Sequence, residues 1–359
     1  SRARIFKKII CKKSFRTNSF IVKILRMNIC KDCFLDEELR SEINANAVID
    51  GICDVCGKEG KVMDFSEFHG FFAALLELYS PTVNSNKTIV DIIQDEWHLF
   101  KDKDIARVLL ADVITTNNLG YSIADFVNYT DEICDRVAVW DRLKTSVKEN
   151  SRFFTNMDEF VQYDYLTAGK SLHVGQKLYR SRITPIGQKK IKCDKMGCPP
   201  KELATAGRAN PIGIPYLYLS DSAKTTYFEV RAVYLDQLSV GTFKIQRELE
   251  LVDFIYDVNL FIAYNDGSTS LKEIVIKKKI IDSISEDLSK PLRRYDSELE
   301  YVPTQLICEY CKRIVGADGI SFESSLHKGG RNYVLFDDSS AKCVRVESHE
   351  ITKIDIDKR

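Results

Sequence analysis

From Asp64 to about Asn150, apolar residues recur at three-and-four spacing in FSEFHGFFAALLELY, TIVDIIQDEWHLF, DIARVLLADVI and YSIADFVNYTDEICDRVAVW. That period lays one apolar stripe along a helix, and SPTVNSNK and TTNNLG interrupt it, so the pattern predicts an all-α domain over residues 62–150. From about Leu166 the texture changes. Short β-rich runs (KLYRSRI, YLYLS, GTFKIQ, ELVDFIY, GISFES, NYVLF) alternate with helical ones (SAKTTYFEVRAVYL, SISEDLSKPL, VPTQLICEYCKRIV), which predicts an α+β domain. Within IPYLYLS the pleat puts Tyr216 and Tyr218 on one face of a strand and Leu217 and Leu219 on the other. Ser220 or Asp221 is placed to cap the next helix, whose apolar stripe reads Ala223, Tyr227, Val230 and Tyr234, with Glu229 on its rim.

Composition narrows the classes. A chain of 359 residues with 44% apolar content can bury more than one core. The net charge is zero, yet residues 1–26 carry nine Lys or Arg and no acid, leaving the rest net acidic. A broad basic groove for nucleic acid is therefore not expected in the body of the protein. Residues 1–26 read as a basic, disordered extension before Met27; their Arg-rich, acid-free character also fits an organellar presequence. No apolar run reaches the length of a membrane span and no secretory pattern is present, so a cytoplasmic protein with no membrane partner is expected.

Eleven cysteines, several in C-x-x-C pairs, argue for metal or free thiols rather than a disulfide framework. CKDC (Cys30, Cys33) and CDVC (Cys53, Cys56) bracket nineteen residues, the spacing of two knuckles gripping one tetrahedral zinc. Gly57 and Gly60 follow the second pair where tight turns are needed. Four sulfurs leave no open position for a substrate, so the site reads as structural, stapling a module over residues 27–61. Cys308 and Cys311 lie one helical turn apart and read as a buried face, while Cys193 and Cys198 flank a loop; joined, the four would make a second metal site. His69 and His98 read as packed helix residues.

LYRSRI places Arg180 and Arg182 on one face of a strand, and Ser324 and Ser325 end the first strand of VGADGISFESSLHKGGRNYVLF. Singly these are unspecific. In the order LYRSRI, GRANPIGIPYLYLSDSAKTTYFEVR, YVPTQLICEYCKRIVGADGISFESS, GGRNYVLF, they resemble the RES domain family over residues 166–346, with 347–359 as a C-terminal tail. The zinc-and-helix region resembles the N-terminal extension of some larger RES proteins. The resemblance implies a fold similar to ADP-ribosyltransferase toxins and chemistry on NAD. Many relatives are toxins of toxin–antitoxin pairs, which implies a helix-turn-helix antitoxin as partner. Carried over, the functional residues are Arg180, Tyr218, Glu229 and Ser324, with Arg182 and Ser325 as neighbouring substitutes and Arg208 of GRANP as a further NAD contact. The helical segment is expected to act as a scaffold, bind a regulatory partner or self-associate.

These residue types suit the chemistry. NAD carries a cationic leaving group, so one carboxylate suffices where ordinary glycoside hydrolysis needs two. Glu229 would stabilise the oxocarbenium-like ribose, Arg180 would hold the pyrophosphate, Tyr218 would lie against the pyridinium, and Ser324 would orient Glu229 or the ribose. The chain has no G-x-G-x-x-G, so NAD is expected to be consumed rather than recycled. The leading expectation is an NAD glycohydrolase or phosphorylase. A mono-ADP-ribosyltransferase acting on protein or nucleic acid is the first alternative, and a non-enzymatic zinc adaptor binding nucleic acid through residues 1–26 the second.

Overall fold

A computed structural model describes residues 26–185, 187–290 and 298–353. The extension read over residues 1–26 lies, apart from Arg26, outside the described residues. The chain divides into two compact units: one takes the residues up to Ala73 with Lys87–Asp125, the other Ala74–Asn86 with everything from Phe126. Among the described residues no helix is long and apolar enough to cross a membrane.

The first unit opens with a three-stranded antiparallel sheet of β1 (Asn28–Ile29), β2 (Ile49–Ile52) and β3 (Glu59–Asp64), in the order β1-β3-β2. Helix α1 (Glu37–Asn46) starts where the Asp36 carboxylate accepts from the backbone N–H groups of Glu38 and Leu39. Helices α2 (His69–Leu76), α3 (Ile89–Trp97) and α4 (Lys103–Asn117) follow. Thr88 and Asp91 form a reciprocal capping box at the start of α3, and Asp102 caps α4. The core is aromatic: Phe34, Phe72 and Phe100 are buried, with ring centroids 5.5 Å apart for Phe34–Phe100 and 5.4 Å for Phe72–Phe100. His69 pairs through Nε2 with Asp112 at 3.0 Å, and His98 ends α3 in the left-handed region.

In the second unit, the run read as a long helix from Tyr121 is broken by β5 (Val127–Tyr129), which pairs antiparallel with β4 (Tyr79–Pro81). Stacked Tyr79 and Tyr129 rings, 4.5 Å apart, favour the strand pair over the helix that spacing suggested. Helices α5 (Asp131–Val137), α6 (Val139–Thr145) and α7 (Asp158–Gln162) come next. The large sheet contains β6 (Ala168–Leu172), β7 (Lys177–Ile183), β8 (Leu217–Ser220), β9 (Gln237–Ile245), β10 (Leu249–Asp253), β11 (Gly319–Glu323), β12 (Arg331–Leu335) and β13 (Ala341–Glu350). Its order is β13-β9-β7-β8-β12-β11-β10-β6, antiparallel throughout except for the β10–β11 pair. Strand β13 runs on to Glu350, into the segment read as a tail. Leu178, Leu217, Leu219, Phe243, Leu251 and Leu335 fill one core cluster, where truncating a leucine to alanine costs about 2–5 kcal/mol. Helices α8 (Ala223–Glu229), α9 (Leu260–Asp266), α10 (Leu271–Ser289) and α11 (Val302–Tyr310) complete an α+β fold.

Helix α8 departs from its sequence reading. Ser222, not Ser220 or Asp221, caps it, accepting from the Thr225 N–H. Its buried residues are Thr225 and Thr226 rather than the Ala223–Tyr227–Val230–Tyr234 stripe, and Tyr234 is exposed. The reason is polar: Thr226 Oγ1 hydrogen-bonds Ser181 of β7, and Thr225 Oγ1 meets Asp221 and His327. The helix stops at Glu229, and Arg231 turns left-handed at φ 51°.

Candidate functional site

Four adjacent strands of the large sheet, β7, β8, β12 and β11, put residues far apart in sequence onto one cavity of about 470 Å³ and its rim. Arg180 on β7, Tyr218 on β8, Asn332 on β12, Glu229 at the end of α8 and Arg208 on the preceding loop all line it. The volume lies in the range of small-molecule sites.

Glu229 is exposed but firmly held. Its Oε1 accepts from Ser324 Oγ at 2.6 Å and from Asn332 Nδ2 at 2.7 Å. Both donors converge on Oε1, which leaves Oε2 without a protein partner among the described residues. Ser324 is aimed by its own turn, since its Oγ also accepts the N–H groups of Leu326 (3.3 Å) and His327 (3.2 Å). Asn332 is aimed by Ser220, which donates to its Oδ1 at 2.7 Å from the neighbouring strand. Sequence reasoning missed Asn332. An asparagine inside a strand carries no spacing signal, and only the β8–β12 pairing shows what it faces.

Arg180 sits within the cavity wall, its Nη1 buried with no hydrogen-bond partner among the described residues. Burial, then the nearby charge of Arg182, pushes its guanidinium down to about 10 from the usual arginine range. Cys198 hydrogen-bonds the same guanidinium, and a desolvated cation of this kind would be stabilised by an anion. Arg182 turns elsewhere: it lies outside this lining and donates through Nη2 to Gly197 O at 2.6 Å, holding the loop before Pro199.

Tyr218 lines the cavity, and its hydroxyl organises the GRAN loop, donating to Asn210 Oδ1 at 2.7 Å and accepting from Ala209 N–H at 3.2 Å. Burial raises its phenol well above the usual tyrosine value, so it stays a neutral donor. Gly207 is required here, because a Cβ would come within 2.8 Å of that hydroxyl and 2.7 Å of Asn210 Oδ1. Arg208 donates through Nη1 to Asp287 O at 2.6 Å, with its guanidinium 5.4 Å from the centre of the Tyr301 ring. Ser325 is not part of this lining. It donates to Ser289 O and, with Ser324, lines a second cavity whose wall includes Asp257, Asp282, Glu286 and Glu323.

The four cysteines of the first unit form a separate centre. Cys30 and Cys56 bring their sulfurs to 3.5 Å, as do Cys33 and Cys53, and all four lie within 4.8 Å of one another. Zinc–sulfur bonds of about 2.3 Å in a tetrahedron put sulfurs roughly 3.8 Å apart, so the donor set fits one such ion. The knuckle backbone is built for it: Cys53 O accepts from Gly57 N–H at 2.9 Å, and Gly57 and Gly60 take φ of 74° and 149°. Among the described residues no other His, Cys, Asp or Glu group gathers as a metal site. Cys308 and Cys311 are fully buried, and Cys193 lies against Cys343, so the two pairs do not converge on one ion.

Residues 182–357 match the family model described as the RES domain. The match begins at Arg182, just after Arg180, and contains Arg208, Tyr218, Glu229, Ser324, Ser325 and Asn332. A sequence search of curated proteins found no match. Among solved structures, the chain has a distant likeness to the M. tuberculosis MbcT-MbcA toxin-antitoxin complex, at 14% identity over 53% of this chain and 91% of that one. The TM-score is 0.31.

Proposed function

Residues 182–357 are a RES domain, and from that premise we propose that the cavity takes NAD as substrate and breaks its nicotinamide–ribose bond. One observation carries the reading: Glu229, fixed by Ser324 and Asn332, lines the same cavity as Arg180, whose guanidinium is desolvated. A diphosphate would supply the anion that a desolvated guanidinium lacks, and the carboxylate would answer the positive charge that develops on the ribose.

The electron count is simple. The C1′–N bond breaks with its pair going to nicotinamide, whose ring loses its positive charge, and the ribose becomes an oxocarbenium-like cation. No general acid is needed, which suits a cavity lined, among the described residues, by one carboxylate. Glu229 Oε2, the oxygen not used by Ser324 or Asn332, is the one available to the ribose hydroxyls or C1′. Water or phosphate then closes the sugar and gives up a proton when water is the acceptor. In the same scheme the Tyr218 ring flanks the pyridinium and Arg208 joins Arg180 on the phosphates.

A transferase reading uses the same residues, and the second cavity favours it. Its acidic wall, reached past Ser324, suits a cationic acceptor side chain. Nucleic-acid binding through residues 1–26 rests on residues outside the described ones and receives no support here. We further propose that the four-cysteine centre holds structural zinc, that the protein acts in the cytoplasm, and that a helix-turn-helix antitoxin restrains it.

The test is incubation of purified protein with NAD labelled in the adenine. Free ADP-ribose or ADP-ribose-1″-phosphate, lost in Glu229→Gln, supports NAD cleavage. A labelled macromolecule instead supports the transferase, and intact NAD overturns both.

A further inference from the structure

Helix α10 ends at the cavity; the Glu286 carbonyl takes the Lys290 N–H, and the later carbonyls of the last turn have no backbone partner further along the helix among the described residues. Two of them are taken by residues of the RES region. Asp287 O accepts from Arg208 Nη1 at 2.6 Å, and Ser289 O accepts from Ser325 Oγ. A cation at this end also suits the helix dipole. Leu288, Ser289 and Lys290 themselves line the cavity.

Asp287 faces two ways. While its carbonyl receives Arg208, its carboxylate is gripped from α6: Trp140 Nε1 donates to Oδ2 at 2.7 Å, and Lys144 Nζ lies 3.0 Å from the same oxygen. Trp140 is fully buried, so its indole N–H is a rigid clamp, and Lys144 is itself steadied by Asp141 at 2.8 Å. The Arg208 carbonyl is fixed in turn by Thr304 Oγ1 at 2.7 Å, and Gln305 Nε2 donates to Gly207 O at 2.8 Å. The GRAN loop is therefore held between α11 and the end of α10.

We propose that Asp287, clamped by Trp140 and Lys144, is a positioning residue for Arg208, so that α6, which precedes the RES match, belongs to the working site. The inference rests on the NAD reading for its kinetic consequence but not for its structural one. Two conservative variants test it. Trp140→Phe keeps the ring and deletes the N–H, and Lys144→Met keeps the aliphatic stem and deletes the charge.

The expected kinetic result is a rise in KM for NAD of about fivefold in each variant, the weight of one hydrogen bond, with kcat within about twofold of wild type. In an Arg208→Lys background neither change raises KM further, because the clamp has lost what it positions. Additive KM effects, or a fall in melting temperature with KM unchanged, overturn the proposal. The second readout needs no turnover: the Arg208 Nε–H signal in 15N NMR, assigned by its disappearance in Arg208→Lys, broadens in Trp140→Phe. An unchanged signal overturns the positioning role even when NAD is cleaved. A wild type that leaves NAD intact while the Trp140→Phe signal broadens overturns the NAD reading alone.

Discussion

At the four-cysteine centre each sulfur has three others within 4.8 Å, whereas Arg180, on the cavity wall, keeps a buried Nη1 with no hydrogen-bond partner among the described residues. The first arrangement is complete once one ion is added, and it leaves no position for a substrate. The second holds an unmet electrostatic demand at the price of stability. A centre that one ion would complete suits a structural role, and a cavity that keeps an unpaired buried cation suits recognition of an anion. The contrast is set by chain topology as much as by residue type. The cysteines are gathered by two short turns, while the cavity draws on strands β7 to β12 spread over more than a hundred residues.

The largest effect expected follows from emptying the first centre. Chelation, or Cys33→Ser, releases one zinc per chain by metal analysis and melts the module over residues 27–61, since structural zinc supplies about 10–16 kcal/mol of apparent folding free energy in small domains. A module that keeps its melting transition without metal would erase the contrast. Next comes Glu229→Gln, for which NAD consumption falls about a hundredfold or more, comparable to removing another preorganised stabiliser of transition-state charge.

Arg180→Met sharpens the comparison through opposite signs. NAD affinity drops, yet the folded protein gains on the order of 2 kcal/mol at pH 7, seen as a higher denaturant midpoint. The sign follows from the guanidinium being pushed down to about 10 by burial. Below that pH both folded and unfolded chains carry the charge, and only the folded chain is penalised for it. The penalty is relieved as pH climbs from about 10 towards the unfolded arginine value, so the advantage of the variant shrinks there. A variant that is less stable at pH 7 would contradict the idea of an unmet demand. Asn332→Leu lowers kcat about tenfold, and nearly nothing in the Glu229→Gln background, because its effect runs through that carboxylate. Smallest is Tyr218→Phe, a loss of about fivefold in kcat/KM from loosening the GRAN loop, where Ala209 N–H and Asn210 Oδ1 both lose the Tyr218 hydroxyl.

Much of the architecture was legible from the chain alone. The runs KLYRSRI, YLYLS, GISFES and NYVLF are strands, and Leu217 and Leu219 face the core opposite Tyr216 and Tyr218 as period two requires. Helix α8 was misjudged because its buried face is built from threonines whose partners lie on another strand and a distant histidine. Strand β5 was hidden because its register depends on Tyr79, some fifty residues earlier. The same limit governs the cavity. Glu229 and Ser324 have no spacing that announces their meeting, and Asn332 has no chemistry that singles it out; the sheet order and the placing of α8 bring the two donors onto one Glu229 oxygen.

The single parallel pair in the large sheet has a mechanical consequence. A chain leaving β10 cannot enter β11 by a hairpin and must travel back along the sheet, and here it does so through α9, α10 and α11. The return journey brings Leu288, Ser289, Lys290 and Tyr301 to the wall of the pocket. Lengthening or shortening the chain between Asp253 and Gly319 would move part of the pocket wall, while the short β9–β10 connection, tied through Arg247 to Asp318 and through Glu248 to His173, lies outside that lining.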